Sequence, residues 1–318
     1  MSELVLIEVK SELGAGTRGA SLGVDAIKIA AHDFASKFFL KIDRLEVAHK
    51  NELLYEPVRT PFARYAEGIH EVLQNVANTV AGTIKEGKYP IVLAGDHSTA
   101  AGTISGIKMA HPKKRLGVIW VDAHADLHSP FTTPSGNMHG MPLAMVTAED
   151  NTECKSNEPD EKTLVLWNKI KGIGGITPKV QPEDIVFIAV RDIEPQEAFL
   201  MKKHNMKNFS VVDVRKRGVE KVAFEALTSL EKCDIIYVSF DVDSMDPKVS
   251  MGTGTPVPSG INEREAGKLL QNLVSSTKVV CFEMVEVNPT LDKENLMAEN
   301  AFEILVKVSN SISNQSTF

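Results

Sequence analysis

The chain alternates between short apolar runs and longer segments with helical periodicity. Apolar runs bounded by polar or turn residues predict buried strands, and apolar residues that recur every three to four positions predict helices. The strand-like runs are 4–9, 91–94, 116–121, 185–189, 209–212, 235–240 and 278–284. The helix-like segments are 63–86, 98–109, 195–204, 219–230, 263–273 and 295–308. This alternation predicts an α/β protein with a parallel sheet covered by helices on both faces.

The same pattern bears on domain organisation, because it contains no internal repeat and no long linker. We therefore expect a single three-layer α/β domain spanning residues 1–318. Segment 149–162 (EDNTECKSNEPDEK) is the most polar stretch of the chain. It predicts a solvated loop, which we interpret as an insertion and not as a domain boundary.

Composition narrows the class of protein. With 318 residues, 43% of them hydrophobic, the chain can bury a large core. A net charge of −7 weighs against an electrostatic footprint for nucleic acid. No apolar run approaches the length of a membrane span, and the segment from Met1 does not resemble a signal peptide. Three cysteines without framework spacing indicate a reducing compartment, so we expect a cytoplasmic protein.

Carboxylates and imidazoles follow four of the predicted strands, at the point where each strand ends. The four segments are GDHS (95–98), DAHAD (122–126), SFDVDSMDP (239–247) and MVEVNP (284–289). In open α/β sheets this edge is where ligands bind. Burying so many acids together is costly without a compensating positive charge. The sequence therefore predicts a metal centre at this edge.

Six residues are candidate metal ligands. In an extended segment alternate side chains share a face, so the carboxylates and imidazole of 122–126 can converge, as can the two carboxylates of 241–243. Four carboxylates balance two divalent cations and favour hard ions such as Mn²⁺ over structural zinc. Taken alone, 122–126 is also consistent with a polar loop. The candidate ligands are His97, Asp122, His124, Asp126, Asp241 and Asp243.

These segments, together with GTGTP (252–256), resemble the ureohydrolase family, which comprises arginases, agmatinases, guanidino-acid hydrolases and formimidoylglutamases. Segment 14–26 also resembles the glycine-rich entry of arginases. The resemblance implies an arginase-like three-layer fold, two Mn²⁺ ions per subunit and a homo-oligomer of three or six chains. It assigns one ion to His97, Asp122, Asp126 and Asp241. It assigns the other ion to Asp122, His124, Asp241 and Asp243.

The expected chemistry is hydrolysis of a guanidinium or related amidine group. The guanidinium carbon is a poor electrophile, and a water bridging two cations loses its proton readily, which provides a hydroxide for attack. Glu286 is placed to accept the guanidinium through charge-assisted hydrogen bonds, with a buried salt bridge as the alternative. Glu283 has the wrong spacing for this role and is predicted to be structural. The resemblance implies catalytic roles for Asp126, Glu286 and His139, the last as a proton shuttle.

The sequence of the loop 127–142 indicates which kind of substrate the protein binds. Its SGN-x-HG portion resembles arginases, whose loop binds the α-carboxylate and α-amino group of an amino acid, and Ser135 and Asn137 offer suitable donors. Thr255 matches a substrate-side residue or serves as a turn hydroxyl. The chain departs from arginases at His128, where they usually carry asparagine, and at Glu194, where they usually carry aspartate. We expect His128 to contact the α-carboxylate directly or through water, the alternative being a rim histidine exposed to solvent.

Three functions compete at this point. The first is an arginase that converts L-arginine to L-ornithine and urea. The second is a relative that acts on another small guanidino or formimino compound, such as agmatine, a guanidino acid or formimidoylglutamate. Agmatine has no carboxylate, so the SGN segment disfavours it. The third is a catalytically silent interaction protein, which predicts a broken metal ligand, and none of the six is broken.

Overall fold

The computed structural model describes residues 3–315, so the first two and last three residues of the predicted domain lie outside the described range. Its strands are β1 (Leu4–Val9), β2 (Asp43–Val47), β3 (Tyr89–Ala94), β4 (Leu116–Val121), β5 (Ile185–Ile188), β6 (Lys207–Phe209), β7 (Ile235–Asp241) and β8 (Val279–Val285).

These strands form one eight-stranded sheet in the order β2-β1-β3-β8-β7-β4-β5-β6. Every neighbouring pair is parallel, which confirms the predicted parallel sheet. The four middle strands are β3, β8, β7 and β4, the strands that precede the four polar segments of the sequence. Because parallel strands end at the same edge, those segments are brought together at the centre of the sheet.

Helices cover both faces of the sheet. They are α1 (Gly23–Asp33), α2 (Ala66–Lys85), α3 (Ala100–Ala110), α4 (Pro142–Thr147), α5 (Glu161–Lys171), α6 (Pro195–Lys203), α7 (Val211–Arg217), α8 (Val219–Ser229), α9 (Glu263–Val274) and α10 (Leu296–Gln315). Helices α1 and α7 to α10 pack on one face, and α2 to α6 pack on the other.

Strand β4 illustrates how the sequence builds the two cores. Ile119 and Val121 point to the core beneath α8 and α9, whereas Val118 and Trp120 point to the core beneath α2 and α3. All four side chains are fully buried. A strand buried on both faces is continuously apolar, which is why β4 could be recognised without any alternation of polar residues.

The predicted strand 209–212 is wrong in its second half. Strand β6 ends at Phe209, and α7 begins at Val211. The Ser210 hydroxyl accepts a hydrogen bond from the Asp213 amide (3.1 Å), and the Asp213 carboxylate accepts one from the Ser210 amide (2.9 Å). This capping box starts a helix at Val211 and Val212, although the propensity of valine favours a strand.

The prediction of a solvated loop at 149–162 is wrong in part. Helix α5 already begins at Glu161, and Asn151 is buried. Several shorter or more polar elements escaped the hydrophobic pattern, among them β2, whose side chains are exposed except at Val47. Within residues 3–315 no helix is both long enough and apolar enough to cross a membrane.

Candidate metal centre and substrate cavity

The predicted metal ligands lie at the carboxyl ends of three central strands. His97 follows β3 by three residues, Asp122 follows β4 directly, and Asp241 is the last residue of β7. All three are buried, with exposed fractions of 1%, 0% and 3%. The central edge of the sheet therefore holds ionisable side chains where a core would normally be apolar.

The imidazole of His97 lies among three carboxylates. Its Nδ1 atom is 3.0 Å from Asp122 Oδ2, 3.2 Å from Asp126 Oδ2 and 3.2 Å from Asp241 Oδ2. These are the four residues that the family resemblance assigns to one ion. The structure thus brings that set together around one point.

A second group adjoins the first. His124 Nδ1 lies 3.0 Å from Asp243 Oδ2 and 3.5 Å from Asp122 Oδ1. The ligand atoms of Asp122, His124 and Asp243 all lie within 4.8 Å of one another, as do those of His97, Asp122 and Asp241. Asp122 belongs to both groups and contacts one imidazole with each carboxylate oxygen.

Backbone amides orient the carboxylates. Asp122 Oδ1 accepts a hydrogen bond from the His124 amide (2.7 Å), and Asp241 Oδ1 accepts one from the Asp243 amide (2.8 Å). Asp243 Oδ1 accepts a hydrogen bond from the Ala123 amide (3.1 Å). In each residue one oxygen is fixed by the backbone, and the second oxygen is directed towards an imidazole.

These amide contacts also show that the predicted extended conformation of the candidate ligand segments is wrong in part. The ligand segments are not extended throughout, because Asp126 has a φ of 50° and Val242–Ser244 forms a 3₁₀ turn. Aspartate side chains bend the backbone by bonding to amides two residues on. The predicted side chains converge, but turns bring them together and not the alternation of an extended strand.

Burial makes the cluster electrostatically strained without a cation. Burial and the neighbouring Asp122 raise the pKa of Asp126 to about 7. Burial, with Asp243 and Asp122 nearby, raises the pKa of Asp241 well above its usual value. Burial opposes ionisation of Asp122 too, but the His124 and His97 imidazoles outweigh it and lower its pKa. A bound divalent cation would take the place of the protons that hold these carboxylates together.

Two buried atoms support the fit of the residues to a metal. Over the described part of the chain, His97 Nδ1 and Asp122 Oδ2 have no well-aligned hydrogen-bond partner, although they lie 3.0 Å apart. Buried polar atoms normally have partners, so both remain available to a ligand. The His97 ring stacks on Trp120 at 3.9 Å, and its Nε2 lies 2.8 Å from Ser239 Oγ. These contacts hold Nδ1 towards the carboxylates, as outer contacts do at metal sites.

A cavity of about 140 Å³ opens above this cluster. Five of the six candidate ligands border it, together with residues that the sequence analysis predicted to bind or act on the substrate. The bordering residues from those two sets are His97, His124, Asp126, Asp241, Asp243, His128, Ser135, Asn137, His139, Glu194 and Thr255. The ligand carboxylates are buried, whereas Ser135 and Thr255 are exposed, so the cavity runs from the cluster to the surface.

His139 and Glu286 form a pair at the side of the cluster. His139 Nδ1 lies 3.1 Å from Glu286 Oε1, which also accepts a hydrogen bond from the His97 amide (3.0 Å). Burial lowers the pKa of His139, but the contact with Glu286 outweighs it and raises that pKa to about 9. His139 borders the cavity, and Glu286, which is 2% exposed, lies next to His139. Glu283 accepts hydrogen bonds from Thr99 and Tyr237 at 2.9 and 2.7 Å.

His128 and Glu194, the two departures from the arginase pattern, contact each other. His128 Nε2 lies 3.1 Å from Glu194 Oε2, and its Nδ1 lies 3.1 Å from Thr132 Oγ1. His128 is 7% exposed, so it is not a rim histidine that touches only solvent. Glu194 is the N-cap residue of α6 and borders the cavity.

The loop that carries Ser135 and Asn137 is held by its own turn. Thr133 Oγ1 accepts hydrogen bonds from the Ser135 amide (3.3 Å) and the Gly136 amide (2.9 Å). Gly136 has a φ of 77°, and a Cβ atom there would collide with the Pro61 carbonyl oxygen. The glycine of the SGN motif is therefore required for both its conformation and its close packing.

Sequence reasoning missed Arg191, which fastens the loops around the second group. Its guanidinium donates hydrogen bonds to the carbonyls of Asp243 and Ser244 (3.0 and 3.3 Å), and to those of Val257 and Pro258 (2.6 and 3.0 Å). The sequence marks Arg191 only as a residue that follows a strand, because four of the five carbonyls that it contacts lie more than 50 positions away.

Three acidic residues at the site were also missed. Asp96 in GDHS accepts a hydrogen bond from the Gly14 amide (3.0 Å) and caps the turn that carries His97. Asp192 Oδ2 lies 3.8 Å from His124 Nε2, and Glu197 Oε1 accepts a hydrogen bond from the Leu127 amide (3.1 Å). Asp96 could have been inferred from its place in a strand-end motif, whereas the other two have no comparable signal.

Comparison with known proteins gives a consistent result. Residues 2–309 match the model of the arginase family. An arginase of Brevibacillus brevis is 35% identical over 313 residues, which cover 95% of this chain and 96% of that protein. The native structure of Bacillus caldovelox arginase matches with a TM-score of 0.82 and 31% identity, over 97% of this chain and 98% of that one. The structure of Entamoeba histolytica arginase in complex with L-ornithine matches with a TM-score of 0.81 and 25% identity, over the same shares.

Proposed function

The chain belongs to the arginase family, and we propose that within it this hydrolase of guanidino groups converts L-arginine to L-ornithine and urea. The observation that carries the proposal is the cavity. One end holds the His/Asp cluster, and the other end holds Ser135, Asn137 and Glu194. The Ser135 hydroxyl and the Asn137 amide suit a carboxylate, and the Glu194 carboxylate suits an ammonium group. An α-amino acid that carries a guanidinium at the end of its side chain therefore matches both ends of the cavity.

We propose that the cluster binds two Mn²⁺ ions, with His97, Asp122, Asp126 and Asp241 holding one of them. Asp122, His124, Asp241 and Asp243 would hold the other, so Asp122 and Asp241 would belong to both sites. The set of imidazole nitrogens and carboxylate oxygens, and the unpartnered atoms of His97 and Asp122, support this assignment. When bound, two divalent cations would lower the pKa of a water molecule so that it loses a proton at neutral pH and supplies a hydroxide for attack on a guanidinium carbon.

The chain's own residues would orient the guanidinium and move the proton. Both hydrogen bonds that Glu286 accepts among the described residues use Oε1, so we propose that Oε2 receives a guanidinium N–H. His139 keeps Nδ1 on Glu286, and we propose that its Nε2 delivers a proton to the leaving amine. Its raised pKa keeps it protonated at neutral pH. We propose that Asp126 also orients the attacking water.

At the opposite end of the cavity, we propose that Ser135 and Asn137 donate hydrogen bonds to the α-carboxylate and that Glu194 receives the α-ammonium. Thr255 donates a hydrogen bond to Asp243 Oδ2 (3.1 Å), so we propose that it steadies that carboxylate while it borders the substrate. His128 stays a predicted contact of the carboxylate. Both of its ring nitrogens already lie near Glu194 and Thr132, so a contact with the carboxylate, direct or through water, would require one of these pairings to open when the substrate binds.

The runner-up is another guanidino or formimino compound. The L-ornithine in the Entamoeba histolytica arginase structure favours arginine over these compounds, since L-ornithine is the product expected from arginine. From the family resemblance we also propose a single catalytic domain and a homo-oligomer of three or six chains. The three cysteines are free, which supports a cytoplasmic location.

A substrate panel tests this proposal. Protein loaded with Mn²⁺ is offered L-arginine, agmatine, a guanidino acid and formimidoylglutamate, and urea and the amine product are both quantified. We expect arginine to have the highest kcat/KM, exceeding that of agmatine by roughly 10- to 100-fold, the factor for charge-assisted hydrogen bonds to a carboxylate. Faster turnover of agmatine or of formimidoylglutamate would reject the arginine assignment while keeping the family.

A further inference from the structure

Residues 149–158, which we call the strap, link the two walls of the outer cavity. One wall is the loop 129–137, which carries the proposed carboxylate donors. The other is α6, whose N-cap Glu194 borders the cavity. The polarity of the strap predicts a solvated loop, yet its backbone and side chains bond to both walls.

On the loop side, Asn157 is the main contact. Its Nδ2 donates hydrogen bonds to the carbonyls of Pro130 (3.2 Å) and Thr133 (2.7 Å). The amides of Ser156 and Asn157 both donate to the Phe131 carbonyl, at 2.8 and 3.0 Å. Three carbonyls of the loop, those of Pro130, Phe131 and Thr133, are thus fixed by two residues of the strap.

On the helix side, the strap bonds to both ends of α6. Asn151 Nδ2 donates a hydrogen bond to the Gln196 carbonyl (2.8 Å) in the first turn. Lys203 in the last turn lies 2.7 Å from Glu153 and 3.6 Å from Glu149. Asn151 is buried and has a φ of 50°, a conformation that asparagine tolerates better than most residues.

The strap is itself anchored to the protein core. The Asp150 carboxylate accepts hydrogen bonds from Trp167 Nε1 (2.6 Å) and Lys171 Nζ (2.8 Å) of α5. Its carbonyl accepts a further one from Ser129 Oγ (2.5 Å), which joins this anchor to the loop 129–137. Trp167 is fully buried. Because the strap is fixed at Asp150, its contacts with the two walls restrain those walls relative to α5.

We propose that the strap sets the separation of the two cavity walls and thereby specificity for substrates with both an α-carboxylate and an α-ammonium group. Asn157 is its principal positioning residue for the donor loop. The substrate class in this statement rests on the proposed function, whereas the positioning of the loop does not. Asn157 acts through Pro130 and Thr133 and does not border the cavity.

Two variants remove the Asn157 contacts in different ways. Asn157→Ala deletes the amide group, and Asn157→Asp keeps the shape of the side chain but places a carboxylate oxygen where Nδ2 contacts the two carbonyls. Lys155→Ala is the matched control, because Lys155 lies in the same strap, is exposed and, within residues 3–315, pairs through its side chain only with Glu158 (2.8 Å). Hydrogen exchange of the amides in 129–137 reports the loop without any assumption about substrate.

We expect both Asn157 variants to exchange faster in 129–137 and the control to match the unmodified protein. KM for L-arginine should rise about tenfold with kcat changed less, the scale for two lost hydrogen bonds. The affinity measured by calorimetry should fall for L-ornithine but not for putrescine, which lacks the carboxylate.

Unchanged exchange in both Asn157 variants would overturn the positioning role. Faster exchange with equal losses for ornithine and putrescine would overturn the specificity role. If the unmodified protein does not hydrolyse arginine, the proposed function fails, and the exchange data still test the strap.

Discussion

His128 and Glu194 stand 66 positions apart in the chain, yet His128 Nε2 lies 3.1 Å from Glu194 Oε2. In the sequence these are two separate departures from the arginase pattern. In the structure they are one feature, a longer acid paired with an imidazole where arginases usually carry a shorter acid and an amide. Because the two side chains contact each other, neither departure leaves its side chain without a partner beside the outer cavity.

The first prediction concerns this pair. His128→Asn and Glu194→Asp should each raise KM for L-arginine, because each leaves its partner without a contact, while metal content stays unchanged. The double variant should recover part of the loss, with a coupling of about 1 kcal/mol. Steady-state kinetics of the four proteins measure that coupling. Strictly additive effects would show that the two side chains act independently.

A related variant separates substrate contact from pairing. In His128→Ala we expect a higher KM for arginine and weaker discrimination against agmatine, since the carboxylate end of the cavity loses a donor. Bound metal, measured by elemental analysis, should be unaffected because His128 does not face the ligand cluster. Identical kinetics for both substrates would remove His128 from the substrate site.

Glu286 carries the second prediction. Glu286→Gln keeps the shape of the side chain but removes the charge proposed to face a cationic guanidinium. The loss in kcat/KM for arginine should exceed about 2 kcal/mol, the scale for breaking a buried charge pair. Glu303→Gln, on exposed α10 surface, is the control. Near-normal kcat/KM in Glu286→Gln would place the guanidinium elsewhere.

The third prediction is a pH dependence of stability in metal-free protein. The pKa of His139 is raised to about 9 by Glu286, against about 6.5 in an unfolded chain. A raised pKa stabilises the fold fully below about pH 6.5, and this stabilisation disappears as the pH rises through about 9. The advantage of the unmodified protein over His139→Gln should therefore shrink across that range, by up to about 3 kcal/mol. Denaturant unfolding at a series of pH values measures it, and a constant difference would contradict the pair.

Arg191 gives the fourth prediction. Lysine cannot reproduce its planar fork, so Arg191→Lys should release the carbonyls of 243–244 from those of 257–258. We expect unfolding free energy to fall by about 2 kcal/mol and Mn²⁺ affinity to fall roughly tenfold. Arg264→Lys is the control, because the Arg264 side chain is 92% exposed. Equal Mn²⁺ affinity in the two variants would confine Arg191 to a role in stability.

The sequence was informative where a strand is apolar on both faces and ends in acids. Strands β3, β4 and β7 are of this kind, and their order at the centre of one parallel sheet places His97, Asp122 and Asp241 together. The convergence of these three side chains could therefore be predicted, but not the turns that orient them. Those turns depend on carboxylate-to-amide bonds that side-chain alternation does not describe.

The remaining features could not be predicted because their partners are distant in sequence. A polar segment such as 149–158 reads as solvated whether it faces water or bonds to carbonyls, and only the fold reveals that Asn157 reaches Pro130 and Thr133. The same holds for Arg191. The prediction of a strand at 211–212 was wrong for a local reason, because a capping box outweighed the strand propensity of two valines.

The central claim is that activity on L-arginine depends on a site for two metal ions that share Asp122 and Asp241. The most direct test is to strip the protein of metal, titrate Mn²⁺ back, and follow bound metal and urea release together. The account predicts negligible activity in stripped protein, recovery that saturates at two ions per chain, and no recovery in Asp122→Ala or Asp241→Ala. Full turnover by thoroughly chelated protein, or by either variant, would contradict it.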